Sequence, residues 1–295
     1  MKKMMIYGFL FAGALFALTA CSGGTSAAVS TTAAKETAPQ TTTAPRSDLK
    51  SGGAPEGTAD EELVFEGIVR EMKDGRIFVQ ADDGSGQSFS IESAVREEED
   101  GLMPGCYVSV SYLGGVSAEV LNAETVYVLM DIEQQADAEG RDPVLYGTVS
   151  VIDANDLVVV DPNGVERTFD NCIARQVTFG NITSGTEVMV TYIGSFDPEN
   201  QLDGEYGSGS GDPLALKVVS MDAAGSEEAG KDYIKGEVFS RSEDAIVVVN
   251  AGGEFTFHGT PEMFGDVSEE DYVRAYYKGA LFSREVDATK VEVIG

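Results

Sequence analysis

Three sets of residues carry chemistry that a function can use: the single histidine His258, the three cysteines, and a run of carboxylates between Phe196 and Pro213. A histidine works as a general base only beside a group it can deprotonate. No such partner is tied to His258, because the chain has no Gly-x-Ser-x-Gly, Walker A loop, His-Glu-x-x-His or Cys-x-x-Cys. His258 therefore reads as an ordinary strand-end residue. Two carboxylates at a set separation hydrolyse glycosides, but 50 Asp+Glu residues single out no pair. One His and no Cys pairing leave a structural zinc site without ligands. No catalytic residue, no metal site and no cofactor are expected.

The run from Phe196 to Pro213 includes Asp197, Glu199, Asn200, Asp203, Glu205, Tyr206 and Asp212. Its carboxylates and amide offer oxygen ligands for Ca²⁺. The spacing departs from an EF-hand loop, since Gln201 and Leu202 stand where a ligand and the turn glycine belong. A flexible surface loop or a ligand contact are the other readings. Asp197, Glu199, Asp203, Glu205 and Tyr206 are its candidate binding residues. Tyr272 and Tyr276 are two more, because both fall on the outward parity of their strand, opposite Val273, Ala275 and Tyr277. Exposed tyrosines stack on sugars or peptides, and ordinary cross-strand packing is the plainer alternative. Glu97-Glu98-Glu99-Asp100 reads as a solvated face.

Cys21 differs from the other two cysteines. Lys2 and Lys3 precede an apolar stretch from Met4 to Leu18, too short for a comfortable membrane span. Leu18-Thr19-Ala20-Cys21 follows, and this motif resembles the lipobox of bacterial lipoprotein precursors. The resemblance implies cleavage between Ala20 and Cys21 and diacylglyceryl transfer to the Cys21 thiol. Two acyl chains hold a protein on a membrane where one does not. The expected location is thus the outer side of the cytoplasmic membrane, and the Cys-Ser-Gly-Gly start is similar to lipoproteins of Gram-positive bacteria. An ordinary secretory signal that happens to end in Cys is the alternative. Cys106 and Cys172 read as free thiols at non-equivalent places.

Residues 21–61 are rich in Thr, Ala, Ser, Gly and Pro and have no aromatic residue, so they cannot bury enough surface to offset their ordering entropy. They read as a disordered tether with a coil dimension of roughly 35 Å. The formal net charge is −30, and loss of residues 1–20 takes away Lys2 and Lys3 but no acid. Phosphate backbones need a basic footprint. From that balance, nucleic acid is excluded as a partner, leaving the membrane and an unknown extracytoplasmic ligand or protein.

The elements beyond the tether come in three copies. Each copy opens on a strand with a central glycine: Gly67, Gly147 and Gly236. Two further β-rich runs follow, the third ending near Phe89, Phe169 or Phe257. The fourth alternates up to an aromatic-x-Gly signature, Tyr112-Leu-Gly114, Tyr192-Ile-Gly194 and Tyr277-Lys-Gly279. The fifth carries Ala-x-x-Val at Ala123, Ala215 and Ala288. Alternation turns Val108, Val110 and Tyr112 inward, with their counterparts Val188, Val190, Tyr192 and Val273, Ala275, Tyr277. A central glycine permits a sharp bend or a close backbone approach. Five short strands must close on themselves to protect their edges.

This pattern resembles the OB-fold, and more closely the OB-like repeat domains of bacterial lipoproteins. An SH3-like barrel or a small sandwich competes. The resemblance implies a helix between strands three and four. The expected fold is all-β: three tandem five-stranded OB-like β-barrels at 62–131, 143–222 and 233–295, after a signal peptide and a disordered tether. The second has an inserted loop at 197–213. Residues 132–142 and 223–232 read as acidic linkers that allow relative motion. The function expected is a non-enzymatic, membrane-anchored binding or spacer module. A glycan-, peptide- or solute-binding lipoprotein is the alternative, and a hydrolase with an unrecognised carboxylate pair the last.

Overall fold

The computed structural model describes residues 61–96, 101–114, 118–196 and 211–295. The lipobox, the tether and most of the insertion, including Ala20, Cys21, Asp197, Glu199, Asp203, Glu205 and Tyr206, lie outside the described residues, as does the acidic run 97–100.

The chain is all-β and forms three successive barrels. The first is built from β1 (Glu62–Lys73), β2 (Arg76–Gln80), β3 (Gly86–Ser90), β4 (Val95–Arg96), β5 (Tyr107–Leu113) and β6 (Val120–Met130). The second uses β7 (Val144–Ile152), β8 (Asp156–Val160), β9 (Glu166–Asp170), β10 (Arg175–Val177), β11 (Glu187–Ile193) and β12 (Leu214–Ser220). The third uses β13 (Tyr233–Arg241), β14 (Ala245–Asn250), β15 (Gly253–His258), β16 (Tyr272–Tyr277) and β17 (Glu285–Val293). In every copy the first strand pairs with the second and fourth, and the third and fifth close the ring in parallel. That is the five-stranded Greek-key closure of an OB-like barrel.

The repeated residues have repeated jobs. A Cβ on Gly67, Gly147 or Gly236 would stand 2.3–2.4 Å from the carbonyl oxygen of Gln80, Val160 or Val249. The first strand thus crosses the end of the second at backbone contact. Two residues after each glycine the ladder slips, between Val69 and Glu71, Val149 and Val151, and Val238 and Ser240. The bulge bends the strand so that one element serves both sides of the barrel. Inside, the third-strand Phe meets the fourth-strand Tyr: Phe89 with Tyr112 at 5.5 Å, Phe169 with Tyr192 at 5.3 Å, Phe257 with Tyr277 at 6.3 Å. Tilted aromatic pairs at such distances add to area burial. The predicted inward residues of the fourth strands are all buried.

Two expectations fail. The segment between strands three and four holds no helix among the described residues. The short strands β4 and β10 occupy it instead, pairing in parallel with β6 and β12, while in the third barrel turns place Phe264 in the core. The first linker, too, is not irregular. Residues Ile132–Ala138 form helix α1, started by a capping box at Asp131: its Oδ1 accepts from the Glu133 and Gln134 amides at 2.9 and 2.7 Å, and Gln134 Oε1 accepts from the Asp131 amide. Ile132, Gln135 and Ala136 are buried. The acidic, Ala-rich composition hid a helix whose apolar face is only one turn long.

The barrels share cores. Leu102, Met103, Ile132 and Leu145 join the first two interiors into one apolar cluster. Ile193, Leu214 and Leu216 of the second barrel belong with Phe255, Phe257 and Val273 of the third. Leu216 is the extra residue of a fifth-strand bulge, where Glu124 and Thr289 stand exposed in the other two copies. It turns outward as they do, and the third barrel covers it.

Candidate functional site

Tyr272 and Tyr276 do lie on the outer face of β16, but they do not form a pair. Tyr272 is 45% exposed. Tyr276 packs on Tyr233 with ring centroids 5.1 Å apart, and Arg274 stands between the two predicted tyrosines. The guanidinium carbon of Arg274 lies 4.6 Å from the Tyr233 ring centre, and that of Arg175 lies 4.2 Å from it. Such contacts contribute on the order of 1 kcal/mol each. Tyr276 donates its hydroxyl proton to Glu292 at 3.0 Å and accepts from Arg274 at 3.0 Å. Cross-strand packing and two hydrogen bonds thus hold Tyr276, while Tyr272 stays exposed on the same face. His258 stands exposed at the end of β15, 3.8 Å from Glu285.

Arg175 belongs to β10 of the second barrel and reaches across to the third. It donates to Glu228 at 3.0 Å and to the carbonyls of Glu228 and Lys231. Lys217 of β12 pairs with Asp232 in the same way. The second junction is therefore held by cations from one barrel and acids and carbonyls before the other.

Asp142 ties the start of the second barrel to the third. It sits just before β7, and its two oxygens accept from the Tyr277 hydroxyl at 3.0 Å and the Leu281 amide at 2.6 Å, both in the third barrel. The side chain is buried, and that burial pushes its carboxyl up to about 7. The two hydrogen bonds and Lys217 oppose the shift, and Asp232 adds to it.

The first junction encloses a crevice of about 160 Å³. Its apolar wall is Met103, Ile132, Leu145 and Phe196, and its polar wall is Asp131, Glu133, Arg167 and Ser195. Three elements set these groups. Helix α1 carries Glu133, whose Oε1 accepts from the Tyr192 hydroxyl at 3.3 Å and the Phe196 amide at 3.2 Å. Burial raises the Glu133 carboxyl above its ordinary value, against hydrogen bonds from Ser195, Phe196 and Tyr192. Strand β9 carries Arg167, which pairs with buried Asp161 at 3.1 Å and lies over the Phe196 ring at 5.3 Å. Phe196 itself packs on Phe169 and Tyr192 at 5.1 and 5.4 Å, so the start of the insertion is seated in the second barrel. Cys106, on the crevice wall, donates to the Gly101 carbonyl at 3.1 Å; burial raises its thiol to about 12. Sequence reasoning missed this site, because Glu133 lay in a supposed linker and Arg167 looked like any outward strand residue.

A wider, open groove of about 400 Å³ flanks the β1–β2 hairpin, with Glu71, Lys73, Arg76, Phe78 and Ser88 along it. Among the described residues no cluster of His, Cys, Asp and Glu could hold a metal ion, and no helix is long and apolar enough to cross a membrane.

No family model matches the chain, and no curated protein does. Among solved structures, the chain is similar to Drosophila Unr CSD456, at 15% identity over 81% of this chain and 99% of that one, with a TM-score of 0.20. It is also similar to a multidomain protein with nucleic acid binding domains from Streptococcus pneumoniae TIGR4, at 11% identity over 79% of this chain and 73% of that one, again with a TM-score of 0.20. The exclusion of nucleic acid is corrected on this finding. A protein with nucleic acid binding domains stands among the similar structures, and a net charge summed over the whole chain does not describe one face of one barrel. Arg175, Lys217, Lys235, Arg274 and Lys290 gather near Tyr233 and Tyr276 in a chain of formal charge −30. At these TM-scores neither likeness says what this chain binds.

Proposed function

We propose that this chain is a non-enzymatic lipoprotein, held on the outer side of the cytoplasmic membrane through a diacylglyceryl group on Cys21, whose tandem barrels present a binding surface at the end of a tether. The observation that carries the reading is Leu18-Thr19-Ala20-Cys21 behind Lys2, Lys3 and an apolar stretch. The shared cores of the three barrels support it, since a module that holds a surface away from a membrane works best when its parts do not move independently. The strong acidity favours solubility and suppresses non-specific association.

The test is Cys21→Ala in a bacterial host fed a palmitate analogue, followed by membrane fractionation. The unaltered chain is expected in the membrane fraction and labelled. Cys21→Ala is expected to lose the label and to run larger, as uncleaved precursor. A Cys21→Ala chain that stays labelled and cleaved in the membrane fraction overturns the anchor.

A further inference from the structure

The crevice at the first junction has three kinds of wall: one guanidinium, two carboxylates and an apolar floor. The Arg167 plane is fixed by its bond from Nε to Asp161 and by the Phe196 ring beneath it. Among the described residues its ion pair runs through Nε alone, so both Nη groups remain to serve a carboxylate as a fork. Glu133 and Asp131 supply the negative side. A purely anionic ligand meets these carboxylates, and a purely cationic one meets Arg167. A molecule that carries both charges meets a partner on each wall. The volume of about 160 Å³ is that of a cavity that takes a benzene-sized body.

From this arrangement we propose that the crevice between the first two barrels binds a small zwitterion with an apolar side chain, an α-amino acid of about valine or leucine size. Its carboxylate lies on Arg167, its ammonium faces Glu133 and Asp131, and its side chain lies against Met103, Leu145 and Phe196. The inference rests on reading the barrels as a binding module and is independent of the anchor.

The experiment is calorimetric titration of the full-length chain in mild detergent with L-leucine, L-valine, leucinamide, 4-methylpentanoate and L-aspartate. Leucine or valine is expected to bind saturably. Leucinamide and 4-methylpentanoate, each lacking one charge, are expected to bind at least about tenfold more weakly, the loss of one charge-assisted contact. Aspartate is expected to be rejected by the apolar wall. Arg167→Gln is expected to weaken leucine at least about tenfold while leaving leucinamide unchanged, and Glu133→Gln to leave 4-methylpentanoate unweakened. No saturable heat with leucine or valine up to about 10 mM overturns the proposal. So does leucinamide or 4-methylpentanoate binding as tightly as leucine. The ligand series on the unaltered chain decides this even where a variant fails to fold. The Cys21 experiment bears on anchoring only, so the two readings fail separately.

Discussion

Asp142 is the residue whose place in the fold most changes its chemistry. Its carboxyl is raised to about 7 in the folded chain, against 3.8 for a free one. The folded state therefore holds a proton that the unfolded state has released between roughly pH 4 and 7, and stability falls as pH rises through that window. Asp142→Asn keeps an acceptor for the Leu281 amide and offers a donor to Tyr277, as the protonated acid does. The variant is expected to gain on the unaltered chain as pH goes from about 5 to 8, by an amount on the order of a few kcal/mol, read by denaturant unfolding at each pH. A constant difference across that range would show that Asp142 does not titrate with folding. The central glycines make a second residue-scale prediction. Gly236→Ala drives a Cβ to 2.4 Å from the Val249 carbonyl, a backbone contact that cannot rotate away. It is expected to cost about 3 kcal/mol, and Gly180→Ala, which meets nothing nearby and has no left-handed backbone, far less. The central glycines were legible in the sequence because they recur at one place in three copies. Asp142 was not, because one carboxylate among 50 Asp+Glu has no signature until its neighbours are known.

At the scale of elements, the strands were legible and the junctions were not. Alternation over Val108–Tyr112, Val188–Tyr192 and Val273–Tyr277 states which side is dry, and all nine inward positions are buried. A junction gives no periodic signal, being a turn or two long. Its trace is a break in the likeness between copies. The residue after the signature Tyr is Leu113, Ile193 or Lys278, and only Ile193 is fully buried, beneath the third barrel. Leu216 breaks the likeness to Glu124 and Thr289 in the same way. Leu216→Ala is expected to destabilise by about 2–4 kcal/mol, as a core truncation does, although the residue points out of its own barrel. An effect under about 0.5 kcal/mol, the level of a surface change, would mean that the second and third barrels are not joined through it. For α1, Asp131→Ala removes both bonds of the cap and is expected to cost about 1 kcal/mol in denaturant midpoint. A seven-residue helix depends on such a cap and on its burial more than on its own propensity.

At the scale of the molecule, two facts pull against each other. A formal charge of −30 repels itself, and the shared apolar clusters hold the barrels together. Screening weakens the first and leaves the second almost untouched. Raising NaCl from about 20 to about 500 mM is therefore expected to raise the melting temperature by several degrees, with roughly 2–4 °C for each kcal/mol. A fall would mean that the cross-barrel ion pairs of Arg175 and Lys217 outweigh the repulsion. The total charge was legible from the composition, while the cations gathered on one face were not, because strand pairing brings Lys235, Arg274 and Lys290 together and the barrel junction adds Arg175. The bonds of Asp142 also bear on the order in which the molecule is made. Tyr277 and Leu281 lie 135 and 139 residues further along the chain. Chains are made from the N-terminus, and domains fold as they appear. The first two barrels share a core and can close before the third exists, with Asp142 still wet and ionised. When the last barrel seats, that carboxylate leaves water and its affinity for a proton rises. Docking of the third barrel is thus expected to take up part of a proton and to be firmer in a more acidic medium.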